Sequence, residues 1–124
     1  DMQAEPKILH LTLKRKWFDM IASGEKKEEY REVKPYWIAR LVDEFGAPHS
    51  CEDFNFEYLG ARYSMHCPVG YDIVEFKNGY RKDSPTMRVK ITDIDINVGK
   101  EKWGAEWAKP YFIISLGEIL NVKF

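Results

Sequence analysis

Apolar and polar residues alternate near the start of the chain, and His10 lies between two of the apolar positions. The alternating apolar residues are Leu9, Leu11 and Leu13. Because successive side chains of a strand point to opposite faces, this pattern predicts a first strand over Lys7 to Lys14. One face of that strand is expected to be buried, with His10 on the other.

Two helices are predicted next, each ending at a glycine. Apolar residues at helical spacings indicate a short helix over Arg15 to Ser23, with Gly24 as its left-handed C-terminal cap. Pro35 suits the first turn of a second helix, and Gly46 is expected to end it. The apolar face of the second helix is predicted to consist of Trp37, Ile38, Leu41, Val42 and Phe45.

The segment Tyr71 to Lys77 is typical of a buried strand. Asn78 and Gly79 follow it, and this dipeptide favours a type I′ turn, in which both central residues have positive φ. We therefore expect a hairpin or a sharp strand end at this point.

Two further strands are predicted in the last third of the chain. Over Met87 to Val98 the apolar residues change from odd to even positions across Thr92 and Asp93. Because side chains alternate strictly along a strand, this change predicts a bulge. Tyr111 to Leu116 forms a last apolar strand.

These elements predict one α+β domain over residues 1–124. Five to six mostly antiparallel strands are expected to curve into a small β-barrel with two or three flanking helices. The stretch at about 46–70 shows neither period clearly and is longer than most structureless loops. We expect an irregular excursion there, with one short strand.

Composition narrows the class of protein. No apolar run approaches the roughly 20 residues that span a bilayer, so a membrane-spanning role is not expected. The 15% aromatic content argues against disorder. A net charge of −1 gives no support for nonspecific attraction to nucleic acid. A cytoplasmic protein is the default expectation.

The two cysteines, Cys51 and Cys67, are too few for a secreted disulfide framework. Together with His49 and His66 they lack the ligand spacing of zinc sites, so no metal is predicted. The chain also contains no glycine-rich phosphate loop and no dinucleotide-binding motif, so no cofactor is expected.

The densest polar cluster follows the first predicted helix, and it resembles the signature of the ASCH domain (activating signal cointegrator homology domain) of the PUA-like superfamily. That signature, G-x-K-x-x-E-x-R, is matched by Gly24, Lys26, Glu29 and Arg31. The segment from Phe76 to Tyr80 resembles phage and bacterial members. The resemblance implies a PUA-like β-barrel and RNA or modified-nucleoside binding.

The motif residues also have chemistry suited to such a ligand. On a strand, Glu29 and Arg31 point to one face, and Lys26 is expected to reach it from the turn after Gly24. A carboxylate accepts from the exocyclic amine of a base, while lysine and arginine hold a phosphate or a ring acceptor. The alternative is that Glu29 and Arg31 only pair with each other or with neighbours on the sheet.

Aromatic side chains extend the predicted ligand site, because bases stack on them. Tyr30 lies within the motif, and Tyr80 stands beside Arg81. Packing is expected to dominate for Trp103 and Trp107. The complete set of predicted ligand-binding residues is Gly24, Lys26, Glu29, Tyr30, Arg31, Asn78, Tyr80 and Arg81.

Some ASCH proteins are amidohydrolases that deacetylate N4-acetylcytidine with the motif lysine as base and a threonine three residues later as nucleophile. Here the lysine position is Lys26, but Glu29 replaces the threonine. An enzyme would therefore use Lys26 and Glu29 by another mechanism. A protein-interaction module using the acidic stretch from Asp43 to Glu57 is the third alternative. For the binding function, Lys26→Ala is expected to weaken binding without lowering the melting temperature much.

Overall fold

The computed structural model describes residues 5–41, 54–58, 61–65 and 71–124. Within these ranges it contains helices and strands in the expected α+β combination, so the fold class is confirmed at this level. In chain order, the elements are β1 (Ile8–Leu13), α1 (Arg15–Ala22), β2 (Glu28–Glu32), α2 (Pro35–Leu41), β3 (Phe54–Tyr58), β4 (Ala61–Met65), β5 (Ile73–Asn78), β6 (Thr86–Val98), a 3-10 helix (Glu101–Trp103) and β7 (Pro110–Lys123).

The main sheet has five strands in the order β1-β5-β6-β7-β2. Strand β1 runs parallel to β5, and β5 runs antiparallel to β6, so the sheet is mixed. Strands β3 and β4 form a separate antiparallel pair. The sequence predicted one short strand in the excursion at 46–70, and the structure has two. A single strand would leave its backbone N–H and C=O groups without partners, and the second strand provides them.

Contacts within the chain divide it into two compact units. The first unit consists of Asp1–Glu29, Tyr71–Thr92 and Ile114–Phe124. The second consists of Tyr30–Gly70 and Asp93–Ile113.

Strand register builds the core of the first unit. Leu9 pairs with Val74, which pairs with Val89 on the other side, so three apolar side chains form a row across β1, β5 and β6. The next inward row consists of Leu11, Phe76 and Met87. All six are buried, which confirms the alternation predicted for β1. Each such side chain contributes about 1.5–3 kcal/mol on burial.

Helix α1 covers β5. Its buried residues are Phe18 and Ile21, three positions apart and therefore on one face. The helix ends at Ala22, and Gly24 has a φ of +86°, as the predicted left-handed cap requires. The first helix and its end are thus confirmed.

The turn predicted at Asn78 and Gly79 is wrong in type. Gly79 has a φ of +107°, but Asn78 does not have a positive φ and remains the last residue of β5. The connection runs to Pro85, whose carbonyl accepts from the Asn78 N–H at 2.9 Å. Within the loop, the Ser84 hydroxyl accepts from the Arg81 N–H at 2.9 Å. This serine stabilises a longer loop than the dipeptide alone predicts.

The change of buried face in β6 is confirmed. Met87 and Val89 are buried at odd positions, and Ile94 is buried at an even one. The last strand, β7, extends to Lys123, well beyond the predicted end at Leu116. Its last residues are mostly exposed, so their apolar pattern is weak and the sequence underestimates the strand.

In the second unit, Tyr30 lies at the centre of a packed cluster. Its ring is 5.7 Å from that of Tyr111, and its hydroxyl accepts from the Lys100 N–H at 3.0 Å. Helix α2 begins at Pro35 as predicted and buries Ile38 and Leu41. The predicted helix end at Gly46 lies outside the described residues, as do Val42, Phe45, His49, Cys51, His66 and Cys67.

Gly99 allows Tyr30 to pack closely. A Cβ at this position would lie 2.7 Å from the Cβ of Ala105 and 2.8 Å from the Tyr30 ring. We expect Gly99→Ala to lower the free energy of unfolding by about 1–3 kcal/mol, because overpacking forces neighbours apart. Urea unfolding of both proteins measures the difference. An unchanged midpoint would contradict this packing.

Candidate functional site

Two of the predicted site residues, Lys26 and Glu29, form a buried ion pair in the first unit. The Lys26 Nζ lies 3.2 Å from the Glu29 Oε1. The exposed fraction of the side chain is 0% for Lys26 and 6% for Glu29. Both residues make further contacts besides this pair. The predicted convergence of these two groups is thus present, but inside the protein rather than on its surface.

The end of α1 directs Lys26 inward. The Gly24 N–H donates to the Ile21 carbonyl, and the Lys26 N–H donates to the Met20 carbonyl, each at 3.0 Å. These bonds satisfy carbonyls that a helix end otherwise leaves without partners. One residue later, the Lys27 carbonyl accepts from the Leu116 N–H of β7 at 2.9 Å. Lys26 is therefore held between two backbone anchors.

An aromatic ring lies beside the ion pair. The Lys26 Nζ is 5.1 Å from the centre of the Trp17 ring, within the range of a cation–π interaction. Trp17 is half-buried, so one part of its indole reaches solvent. The tryptophan is the partly exposed member of a group whose other members, Lys26 and Glu29, are buried.

Burial changes the expectation for the loss of Lys26. Moving two charges out of water has a large desolvation penalty. Their mutual attraction offsets this penalty only when the geometry of the pair is good. Removing Lys26 takes away the ion-pair partner of the buried Glu29 carboxylate, so Lys26→Ala is no longer expected to leave stability unchanged. A buried ion pair adds little net stability, and charged groups held at such a cost are candidates for a functional role.

Tyr30 and Arg31 belong to the second unit. The Tyr30 ring is 9% exposed and is largely committed to packing. The Arg31 guanidinium donates to the Tyr30 carbonyl at 2.8 Å and lies 5.4 Å from the Trp37 ring centre. The convergence of Arg31 with Lys26 and Glu29 stays a prediction.

The three remaining predicted site residues lie at the connection between β5 and β6, in the first unit. Asn78 ends β5, while Tyr80 and Arg81 are exposed. The exposed fraction of Tyr80 is 91%. The ring is accessible for stacking on a base, and that role stays a prediction.

The two tryptophans of the segment after β6 differ. Trp103 is buried, as predicted, with the ammonium groups of Lys100 and Lys102 within 5 Å of its ring centre. Trp107 is 83% exposed, so the prediction that it packs is wrong. Ala108 next to it has a φ of 59°, in the left-handed region that residues other than glycine seldom adopt.

The sequence did not identify a charged row on the outer face of the first unit. His10, Glu75 and Arg88 are register partners across β1, β5 and β6. The His10 Nδ1 lies 3.2 Å from one Glu75 oxygen, and the Arg88 Nε lies 2.9 Å from the other. Only their polar alternation was visible in the sequence, because parallel pairing of β1 with β5 cannot be read from either strand alone.

The charge row affects the Glu75 carboxyl. The hydrogen bond from Arg88 is the largest influence and lowers the pKa of Glu75 below its ordinary value of 4.5. The charges of Arg88 and His10 act in the same direction, whereas desolvation opposes them. Glu75 is therefore ionised at neutral pH and pairs with the Arg88 guanidinium, with His10 at its other oxygen.

In the part of the chain that the structure describes, no three or more His, Cys, Asp or Glu residues are grouped so that they could hold a metal ion. No helix among the described residues is long and apolar enough to cross a membrane.

No protein-family model matches this chain, and no curated protein or solved structure is significantly similar to it. The ASCH resemblance therefore depends on the motif residues of the sequence alone.

The energetics of the buried pair are testable. We expect Lys26→Met to lower the free energy of unfolding by about 3–5 kcal/mol, because the buried Glu29 carboxylate loses the ammonium group that pairs with it. Replacing both partners, as Lys26→Met with Glu29→Leu, should recover most of the loss. Chemical denaturation of the single and double variants measures both effects. Additive losses in the double variant would show that the two charges do not depend on each other.

Glu75 predicts a pH dependence of stability. Because its pKa is lower in the folded protein than in the unfolded chain, its contribution is present above pH 4.5 and is lost as pH falls through the lowered value. We expect Glu75→Gln to reduce stability at neutral pH by about 0.5 kcal/mol, as for exposed ion pairs. The difference should disappear in acid. Urea unfolding of both proteins from neutral to acid pH measures this difference. A stability difference that persisted in acid would contradict the role assigned to the Glu75 carboxylate.

Proposed function

We propose that this chain is an ASCH-type domain with a PUA-like barrel, and that it binds RNA or a modified nucleoside through Lys26 and Glu29. The observation that carries the proposal is the buried ion pair between these two motif residues. Its support from the sequence is the match of Gly24, Lys26, Glu29 and Arg31 to the family signature.

The pair has the hydrogen-bonding groups that a cytosine edge requires. The Glu29 carboxylate accepts from an exocyclic amine, and the Lys26 ammonium donates to a neighbouring ring nitrogen or carbonyl oxygen. A base that engages both groups replaces their mutual contact with charge-assisted hydrogen bonds. Uracil presents a carbonyl oxygen and an N3–H donor where cytosine presents an amine and a ring-nitrogen acceptor, so we expect the site to bind uridine more weakly than cytidine.

Access to the pair requires a side chain to move, because Lys26 is fully buried. Trp17 is the residue we propose moves, since its half-buried indole lies against the Lys26 ammonium. In its new position the indole is available to stack on the bound base, which is worth about 1–3 kcal/mol in single-strand binders. Stacking then offsets part of the cost of opening.

The test uses a variant that removes the pair without leaving a buried charge. Lys26→Met with Glu29→Leu preserves the net charge and approximately the volume of the two side chains. Binding is measured by titration, with Trp fluorescence as the signal. The ligands are cytidine, N4-acetylcytidine and a short oligocytidylate. We expect the variant to bind at least about tenfold more weakly than the parent, the effect of losing charge-assisted hydrogen bonds.

A matched control is provided by the exposed neighbours Glu25 and Lys27. Glu25→Leu with Lys27→Met makes the same replacements on the same turn and should bind like the parent. Circular dichroism confirms that both variants are folded. Unchanged affinity in the folded Lys26 and Glu29 variant would exclude these residues as the binding site.

The same samples test the enzymatic alternative, which the 3.2 Å separation of Lys26 and Glu29 favours. A carboxylate and an amine within hydrogen-bond reach are suited to general acid–base catalysis on a bound water. Chromatography of the N4-acetylcytidine mixture detects released cytidine. Turnover in the parent and the control variant, but not in the Lys26 and Glu29 variant, would identify an amidohydrolase. Binding without turnover would leave the binding function.

A further inference from the structure

A polar recess lies in the first unit, and none of the ASCH motif residues lines it. It has a volume of about 210 Å³ and is partly enclosed. Strands β5, β6 and β7 provide its lining, which consists of Glu75, Thr86, Arg88, Asn121 and Lys123. Every one of these side chains is polar or charged, which is unusual because ligand pockets are predominantly apolar.

Register explains why these side chains meet. Thr86 and Arg88 are two residues apart on β6, and Asn121 and Lys123 are two residues apart on β7, so each pair shares a face of its strand. Glu75 is the register partner of Arg88 on β5. Backbone pairing therefore holds the groups on rigid strands, and rigid elements position binding groups better than loops do.

Glu75 orients the guanidinium of Arg88. Its Oε1 accepts from the Arg88 Nε at 2.9 Å, while its other oxygen is engaged by His10 at 3.2 Å. Both carboxylate oxygens are thus occupied by cationic or hydrogen-bonding neighbours. The two terminal nitrogens of Arg88 form no hydrogen bond or ion pair with the described residues. The guanidinium is oriented through its Nε, and the N–H donors of the two terminal nitrogens remain available to a ligand.

The remaining groups add donors and positive charge. Lys123 is exposed and has no ion-pair partner within the described ranges. With Arg88 it gives the recess two cations against the single carboxylate of Glu75. The Thr86 hydroxyl and the Asn121 amide are further neutral donors. The recess therefore presents donors converging on a small volume, with its only carboxylate already satisfied.

We propose that this recess binds a phosphate group between Arg88 and Lys123. Arginine and lysine are the side chains that proteins use for phosphate, the first as a fork and the second as a point charge. The volume is below the roughly 300–1,000 Å³ of sites for drug-sized ligands, so the recess accepts an oxyanion rather than a whole nucleotide. The site uses none of the residues of the proposed function and goes beyond it.

The phosphate has two chemical sources, a free or small phosphorylated molecule and the backbone of a nucleic acid. Both present the same oxygens to Arg88 and Lys123. Competition distinguishes the two sources, because an oligonucleotide displaces inorganic phosphate only if the recess binds a nucleic-acid backbone. Phosphate-free cytidine provides the comparison that separates backbone contacts from base contacts.

The test is an NMR titration of the full chain in a buffer without phosphate. Inorganic phosphate should shift the backbone amide signals of the lining residues in a saturable manner. Lys123→Gln should weaken this binding by about tenfold, the loss of one charge-assisted hydrogen bond. Arg88→Lys, which keeps the charge but removes the fork, should weaken it as well. Lys123 is exposed near the end of β7, so its variant is expected to fold normally.

Lys90→Gln is the matched control, because it removes the same charge from an exposed residue outside the recess. Equal weakening by Lys90→Gln and Lys123→Gln would show general attraction and overturn the site. Absence of shifts with both inorganic phosphate and oligocytidylate would overturn it too. Displacement of phosphate by oligocytidylate but not by cytidine would assign the site to a nucleic-acid backbone, whereas phosphate binding without displacement would assign it to a small phosphorylated ligand.

The variant with Lys26→Met and Glu29→Leu separates the two proposals. It should retain phosphate binding in the recess while losing nucleoside binding at the motif. Phosphate binding that is lost in Lys123→Gln but kept in the Lys26 and Glu29 variant would therefore support the phosphate site. This holds even if no nucleoside binds at Lys26 and Glu29.

Discussion

The register of β1, β5 and β6 is the constraint on which the first unit depends. One alignment of three strands buries Leu9 with Val74 and Val89, and it brings His10, Glu75 and Arg88 together on the other face. A slip by one residue would exchange the two faces, burying charge and exposing the core. The apolar rows therefore fix the geometry of the outer charge row, since the backbone allows no independent adjustment of one face.

A second constraint is the burial of Lys26 with Glu29. Ion pairs of this kind are seldom retained for stability, because well-packed apolar residues of similar size serve at least as well. In this chain the pair follows the end of α1, and the Lys26 side chain is fully buried. In the proposed function, a ligand would reach the two charges only after a side chain moves. Such burial would favour selective recognition, because it keeps solvent and simple ions away from both charges.

The two proposed sites of the first unit use charge differently. At Lys26 and Glu29 the two opposite charges are paired with each other, and in the proposed function a bound base would separate them. In the recess, Glu75 satisfies only the Nε of Arg88 and leaves the rest of the guanidinium fork directed elsewhere. A carboxylate thus masks a cation in one site and orients it in the other. The difference follows from burial, because a half-exposed arginine does not require complete neutralisation.

Local sequence patterns determined the helices, most strands and the change of face in β6. They succeeded because alternation and helical spacing reflect which side chains are buried, and a glycine such as Gly24 marks a backbone that only few residues adopt. The motif also led to the expectation that the side chains of Lys26 and Glu29 lie close together, and they form an ion pair. The tertiary structure decided that this pair is buried, that Asn78 remains in its strand, and that Trp107 is exposed. It alone decided the parallel pairing of β1 with β5, and hence the charge row and the recess. These features depend on contacts between residues distant in sequence, which no local pattern encodes.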